Sequence, residues 1–419
     1  MLSQFYPPVM GGEEQYVRSL SVELVARGHD VSVATLLHSD LPKFEVVQGV
    51  AIHRVRGTLQ RAAWLFAEAI RPHAPPFPDP ELQLALRNVI EQTRPEIVHA
   101  HNWLGYQYLP LKAITGAPLV VSLHDMSLVC ATKNYMYASA PCTGPGLAKC
   151  FSCAIGHYGP MKGVVTTAAS AAMNAAERRC VDMFLPVSLA AAEGNRLVGS
   201  RQPYQVMPNF VADDLGAGEG GYEDYLAQLP DAPFLLFVGG LRRIKGIQVL
   251  LQAYAGLQAP PPLVLIGYDC ADTPKTFAEG VVVLKNWPRG AVMGAWRRSL
   301  IGLVPSICIE TFGLVVLEAM ACGRPVIASR IGGLQEVVGH AETGLLVPPG
   351  DPKALRDALE LLLRDDALRT RLGHGAFARL AEYRASQVVP RVEHIYRDLT
   401  LRASRHSRPR QAPVASELD

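Results

Sequence analysis

Apolar residues recur along this chain in two alternating periods. From Glu14 to Ala26 they follow the 3.6-residue repeat of an amphipathic helix, and Gly28 behind them suits a helix C-cap. The next run, Val31-Ser32-Val33-Ala34-Thr35-Leu36, reads as a strand. The same alternation predicts a helix over Pro80–Gln92, a strand at Ile97–Ala100, a helix near Leu109–Ile114 and a strand at Leu119–Leu123, with Pro72–Pro80 as a Pro-rich loop. A strand at Met183–Val187, a helix from Leu189 and a strand around Tyr204–Met207 complete a first half, and Pro208-Asn209-Phe210-Val211 reads as a hinge. Strands then follow at Phe234–Val238, Leu263–Ile266, Val281–Leu284, Ile301–Val304 and Pro325–Ala328, and helices over 353–398. Alternating units of this kind predict parallel, doubly wound sheets, hence an α/β chain of two Rossmann-like domains. The expected boundaries are 1–207 and 208–380, then a last helix over 381–401 and a disordered Arg-, Ser- and Pro-rich tail over 402–419.

A length of 419 residues exceeds one ordinary core and agrees with two domains. Apolar residues make up 49% and charged residues 19%, and no apolar run reaches a membrane span. The opening, Met1 to Pro8, lacks a basic region followed by an apolar one, so the expected location is the cytoplasm, with peripheral contact at the inner face of a membrane left open. A net charge of +2 gives nucleic acid no electrostatic footing and leaves small molecules and carbohydrate as partners.

Of eight cysteines, Cys180, Cys270, Cys308 and Cys322 lie among apolar residues and read as packing groups. Cys130, Cys142, Cys150 and Cys153 form C-x11-C-x7-C-x2-C in an insert, 126–160, that reads as loop-rich. Four thiols in this spacing suit a closed tetrahedral zinc site that would order the insert, with an iron–sulfur cluster second and unligated thiols as the plain alternative.

The sharpest chemical candidate is a carboxylate inside an apolar helix. Glu318 lies between Leu317 and Ala319, with Leu314 and Cys322 one turn away, and a charge so placed requires partners, for which a polar ligand is a natural candidate. Glu310 stands where the strand-like run Ile301–Pro305 meets a helix N-terminus, the usual ligand crevice of open α/β sheets. A Glu-x7-Glu spacing alone describes many solvated helices. Here it is accompanied by Pro305-Ser306 upstream, by Gly323-Arg324-Pro325-Val326-Ile327-Ala328-Ser329, Gly332-Gly333 and Glu336 downstream, and by Thr343-Gly344-Leu345-Leu346-Val347-Pro348-Pro349-Gly350-Asp351. This ordered block resembles the C-terminal half of the GT4 family of retaining glycosyltransferases, whose fold is GT-B.

Further motifs extend the resemblance over roughly residues 3–355. Pro7-Pro8-Val9-Met10-Gly11-Gly12-Glu13-Glu14 resembles the family's N-terminal glycine loop, and Gly28-His29-Asp30-Val31 its Gly-His-acid-Val. Two glycines before a helix let backbone N–H groups approach a phosphate. The family's first strand is represented only by Met1–Phe5. His124-Asp125 matches the family histidine that faces the donor sugar, with His99 and His101 as weaker, mainly structural candidates. Val238-Gly239-Gly240-Leu241-Arg242-Arg243-Ile244-Lys245-Gly246 looks like the family's diphosphate grip, with Lys245 on the family lysine, Gly240 on its usual arginine, and Arg242 or Arg243 as substitutes.

The resemblance implies transfer of a sugar from a nucleotide diphosphate sugar to a hydroxyl of a carbohydrate, lipid-linked or small-molecule acceptor, with retention. It implies that Glu318 holds the ribose and Glu310 the donor sugar. Lys245, the Gly11-Gly12 backbone and the helix N-termini at Thr311, Phe312, Gly313, Leu314 and at Gly332-Gly333 would neutralise the departing diphosphate. No Asp-x-Asp pair is evident, so no catalytic metal is expected. A nucleotide-sugar epimerase on the same fold and a zinc-stabilised binding scaffold are the rival readings.

Overall fold

The computed structural model describes residues 1–9, 11–38, 41–61, 73–138, 140–217 and 220–407. Its first half winds through α1 (Gly12–Ala26), β1 (Ser32–Leu36), an antiparallel hairpin of β2 (Phe44–Val47) and β3 (Val50–Val55), α2 (Pro80–Thr93), β4 (Val98–Ala100), α3 (Leu109–Thr115) and β5 (Leu119–Leu123). A short ribbon, β6 (Met136–Tyr137) and β7 (Ala140–Pro141), leads to α4 (Leu147–Tyr158), α5 (Pro160–Cys180), β8 (Met183–Pro186) and α6 (Leu189–Gly194). Helix α2 shows how local sequence sets such an element. The Asp79 carboxylate accepts the Leu82 N–H at 3.1 Å, Pro80 supplies a preset first turn, and Leu82, Leu86 and Ile90 repeat on the buried face. Leu2 bridges Ala34 and Ala100 in parallel, so the strand order across the first half is β2-β3-β1-Leu2-β4-β5-β8.

The second half begins with α7 (Glu223–Leu226) and alternates β9 (Phe234–Val238), α8 (Ile247–Ala255), β10 (Leu263–Gly267), β11 (Val281–Lys285), α9 (Arg289–Arg298), β12 (Ser299–Val304), α10 (Leu314–Ala321), β13 (Val326–Ser329), α11 (Leu334–Val337) and β14 (Gly344–Val347). All six strands are parallel, in the order β11-β10-β9-β12-β13-β14. Phe234–Phe237 and Leu263–Ile266 are buried without alternation, because helices cover both faces of the sheet. Trp296, Val316 and Leu317 fill one side and Leu250, Leu359 and Leu372 the other, at roughly 1.5–3 kcal/mol per large apolar side chain taken from water.

Helices α12 (Pro352–Arg364), α13 (Asp366–Arg379) and α14 (Ala385–Ser407) close the chain. The last returns to the first half, where Val388, Val389, Val392 and Ile395 pack with Tyr16, Leu20 and Leu24 of α1. Two polar contacts also join the halves. The Glu336 carboxylate accepts the N–H groups of Leu189 and Ala190, both at 2.8 Å, at the start of α6. The Thr311 hydroxyl donates to the His124 carbonyl at 2.7 Å.

Three expectations change. The run Tyr204–Met207 is no regular strand: Tyr204 makes a single bridge to Phe184, and Pro203, which lacks an N–H, precedes it. The insert expected to be loop-rich is helical from Leu147 onward, so Cys150 and Cys153 lie on α4. It crosses α5 so closely that a Cβ on Gly163 would stand 2.5 Å from the Ile155 nitrogen. Residues 402–407, expected in a disordered tail, continue α14, while Met10, Pro72 and the tail from 408 lie outside the described residues.

Candidate functional site

The strands of the second half deliver their loops to one edge, and there Lys245 and Glu310 meet. Lys245 ends a single 3-10 turn (Arg243–Lys245) after β9, and Glu310 lies between β12 and α10. The Lys245 ammonium stands 2.5 Å from Glu310 Oε1, which also accepts the Ser306 hydroxyl at 2.7 Å. Burial alone would raise Glu310 and lower Lys245. The mutual charge and hydrogen bond outweigh it in both, with Ser306 adding to the effect on the acid, so Glu310 is held below the usual carboxylate range and Lys245 above the usual lysine. Both are therefore ionised at neutral pH.

Glu318, one turn into α10, has a protein partner that its sequence neighbourhood did not disclose. Its Oε1 lies 3.4 Å from Nε of Arg289, the first residue of α9, and burial still raises the carboxyl despite that cation. Arg289 is the residue that sequence reasoning missed. The available signal was a lone Arg between Pro288 and the apolar face of a helix. Gly313 caps α10 at φ 97°, a left-handed conformation that glycine adopts without Cβ strain.

The first half contributes the opposing wall. Gly11 caps α1, and a Cβ on Gly12 would lie 3.5 Å from a methyl of Leu314, so the glycine loop faces the start of α10. His124, at the end of β5, is the last of three neighbouring imidazoles. His99 and His101 have ring centroids 4.2 Å apart, and His101 Nδ1 lies 3.2 Å from His124 Nε2. Burial lowers all three, His124 to about 4, so they are neutral at neutral pH. His99 is further held by Ser122 at 2.8 Å and by Tyr396 of α14. Nearby, Glu13 accepts the Asn102 amide, and burial, then the charge of Glu14, raises it to about 8.

The remaining candidates are less converged. Arg242 Nε lies 3.8 Å from Asp272 Oδ1, and the Arg243 N–H donates to the same carboxylate at 2.8 Å. At Gly240 a Cβ would meet the Tyr268 ring at 3.1 Å, so that ring holds the space beside the family's arginine position. His157 of α4 is lowered by burial and then by the charge of Arg242, which puts the insert within electrostatic reach of this loop. Cys130, Cys142, Cys150 and Cys153 line one cavity of about 30 Å³. Each thiol has a weak partner of its own: the Thr132 hydroxyl, the Gly144 carbonyl, the Gly146 N–H and the Met136 carbonyl. Among the described residues no group of three or more His, Cys, Asp or Glu is placed to hold a metal ion. The thiols thus converge on one void without taking up coordinating positions.

Residues 226–379 match the family described as "Glycosyl transferases group 1", and residues 11–209 the "Glycosyl transferase 4-like domain". The chain is 31% identical over 328 residues to D-inositol 3-phosphate glycosyltransferase 1 of Catenulispora acidiphila, covering 72% of each protein. It is 28% identical over 399 residues to D-inositol 3-phosphate glycosyltransferase of Pseudarthrobacter chlorophenolicus, covering 88% of this chain and 86% of the relative. Among solved structures, sucrose-phosphate synthase of Thermosynechococcus elongatus superimposes with a TM-score of 0.72 at 24% identity over 94% of both chains. HepE of Anabaena in complex with UDP-glucose does so with a TM-score of 0.67 at 15% identity, covering 95% of this chain and 98% of HepE.

Proposed function

The chain belongs to the glycosyl transferases group 1, the GT4 family of retaining glycosyltransferases with the GT-B fold, and from that premise we propose how its residues divide the work of sugar transfer. The observation that carries the proposal is the Lys245–Glu310–Ser306 cluster lying across from the Gly11-Gly12 loop and His124. The enzyme moves a sugar from a nucleotide diphosphate sugar to an acceptor hydroxyl. In this reading the donor is a UDP-sugar, by likeness to HepE, which binds UDP-glucose. Its diphosphate lies between Lys245 and the N-terminal ends of α1 and α10, where a cation and unpaired N–H groups favour the charge that accumulates on the leaving group. Arg242 adds a second, outer cation. Phe312, Gly313 and Leu314 shape the floor, Glu318 takes the ribose hydroxyls while Arg289 shares its charge, and Glu310 takes hydroxyls of the donor sugar. His124, neutral, offers one ring nitrogen to the sugar while the other meets His101.

The domain assignment 1–207 and 208–380 belongs to the same reading, with the cleft between the domains as the place of transfer. Eight cysteines without a disulfide fit a reducing compartment and hence cytoplasmic action. No described helix is long and apolar enough to cross a membrane. The experiment is a screen of nucleoside diphosphates and their sugars for thermal stabilisation, followed by assay of nucleotide release with and without acceptor. Stabilisation by a diphosphate and acceptor-dependent release are expected. Conversion of the sugar without acceptor, or binding with no turnover under any acceptor, would overturn the proposal.

A second reading concerns Cys130, Cys142, Cys150 and Cys153. Four thiols on one void are the donor set of a closed structural zinc site, and their approach to one centre would tie the β6–β7 ribbon to α4. With every position taken by sulfur, such a metal supplies no water and takes no part in transfer.

A further inference from the structure

Helix α5 is amphipathic in the reverse sense. A helix on the surface of a domain normally buries its apolar stripe and gives its polar face to water. In α5 the buried positions are Gly163, Thr167, Ser170, Asn174 and Glu177. The positions turned outward, at the same three- and four-residue spacing, include Met161, Val164, Val165, Ala168, Ala171 and Ala175. The inward groups fix this orientation. Asn174 accepts the Tyr106 hydroxyl at 2.7 Å and donates to the Ser127 carbonyl at 3.2 Å, while Thr167 bonds back to the Gly163 carbonyl at 2.8 Å. Rotating the helix to hide its valines would strip Asn174 of both its partners outside the helix, so the apolar face is held outward by polar contacts inward. Met161 is 79% exposed, and Leu147 at the start of the neighbouring α4 is 82% exposed.

The charge around this face is one-sided. The whole chain carries 38 Asp and Glu, yet residues 126–176, which contain both outward faces, have none. They have Lys149 and Lys162, beside Leu147 and Met161 respectively, and Lys133, which is already 3.6 Å from Asp125.

We propose that the outward face of the α4–α5 pair docks on an anionic lipid surface, seating Met161, Val164, Val165 and Leu147 at the headgroup boundary with Lys149 and Lys162 against the lipid phosphates. Interfacial helices combine these two features, a shallow apolar face and flanking cations. Charge decides against a second copy of the chain, since two such faces would bring lysines together with no acid to pair them. The outward face of α5 carries no aromatic anchor of the kind that dominates protein interfaces. This surface does not depend on the division of roles within the cleft.

The test is co-sedimentation of the full chain with vesicles of phosphatidylcholine alone and of phosphatidylcholine with phosphatidylglycerol, at low and high salt. Binding to the anionic vesicles alone, weakened by salt, is expected. Lys149→Gln and Lys162→Gln should each weaken it about fivefold, the equivalent of the ~1 kcal/mol that a basic residue contributes near such a surface. Met161→Asp with Val165→Asp should abolish it while the melting temperature and binding of a nucleoside diphosphate stay as in the parent. Three results overturn the proposal: no sedimentation with anionic vesicles, sedimentation unaffected by Met161→Asp with Val165→Asp, or a concentration-dependent dimer that this variant dissociates.

Discussion

Glu310→Gln is expected to tighten binding of a nucleoside diphosphate while slowing turnover, a combination that follows from what Lys245 touches. Without ligand, the Lys245 ammonium is committed to the Glu310 carboxylate at 2.5 Å. An incoming diphosphate must share that ammonium with an anion already in place. Replacing the carboxylate by an amide leaves the ammonium a hydrogen-bond acceptor but removes the charge–charge attraction, roughly 1 kcal/mol for a pair whose Lys245 side chain is 36% exposed. The dissociation constant for UDP should fall about fivefold. Turnover should drop about ten- to a hundredfold, since the charged acceptor for the donor sugar's hydroxyls is gone. Calorimetric titration with UDP and steady-state rates on one preparation measure both, with Lys245→Ala as the opposing control, expected to weaken UDP binding and lower kcat. An unchanged or weaker affinity in Glu310→Gln, beside the expected loss in Lys245→Ala, would refute the sharing of the ammonium between Glu310 and the diphosphate.

Glu318→Ala should weaken UDP binding about tenfold or more, because charged hydrogen bonds to ribose hydroxyls are lost; unchanged affinity in a folded variant would exclude that role. Thr311→Val removes the 2.7 Å hydrogen bond to the His124 carbonyl that joins the two halves, and kcat/KM should fall about fivefold for the ~1 kcal/mol lost from the contact between them. Burial, then the charge of Asp125, raises Glu177 to about 8 from an ordinary 4.5. The folded chain therefore keeps a proton that the unfolded chain gives up between those values, and stability falls as pH rises through that window. Glu177→Gln lacks this loss, so denaturant midpoints should exceed the parent's near pH 8 and converge with them toward the acid end; a constant offset across pH would place the effect elsewhere. Zinc at about one equivalent, by elemental analysis of protein purified without a metal-binding tag or chelator, is expected from the four thiols; less than about a tenth of an equivalent of zinc or iron counts against a metal there.

What the sequence disclosed depended on whether an element's buried face is apolar. The strands at Leu119–Leu123, Phe234–Val238 and Leu263–Ile266 are buried almost throughout, and α2 shows the core Leu82, Leu86 and Ile90 at helical spacing, so their periods are legible without coordinates. Helix α5 was invisible to the same reasoning because it buries Gly163, Thr167, Ser170, Asn174 and Glu177, while its apolar residues are split between an outward face at Met161, Val164 and Val165 and partial burial at Met173 and Ala176. Strand β2 was missed for a related reason. Phe44, Val46 and Val47 are exposed, so their apolar character carries no information about the core, whereas its partner β3 buries Val50, Ile52 and Val55.

The site divides along a similar line. A carboxylate inside an apolar helix announces that it needs a partner, and that inference from Glu318 requires only the residues around it. Which partner it finds depends on how strands and helices from distant parts of the chain are brought to one edge. Arg289 reaches Glu318 from another helix, Lys245 and Glu310 lie 65 residues apart in sequence, and Thr311 meets His124 across 187. None of these distances is written in a local motif. They follow from a parallel sheet that delivers successive strand ends to one edge and from a last helix that returns to α1. The partner nevertheless alters the chemistry. Glu318, expected to hold ribose, is already sharing charge with Arg289, and Glu310, expected to hold the donor sugar, already holds the lysine expected at the diphosphate. Under the proposed roles, binding at this site is an exchange of partners among fixed charges, and its energetics are set by what each residue gives up as much as by what the ligand supplies.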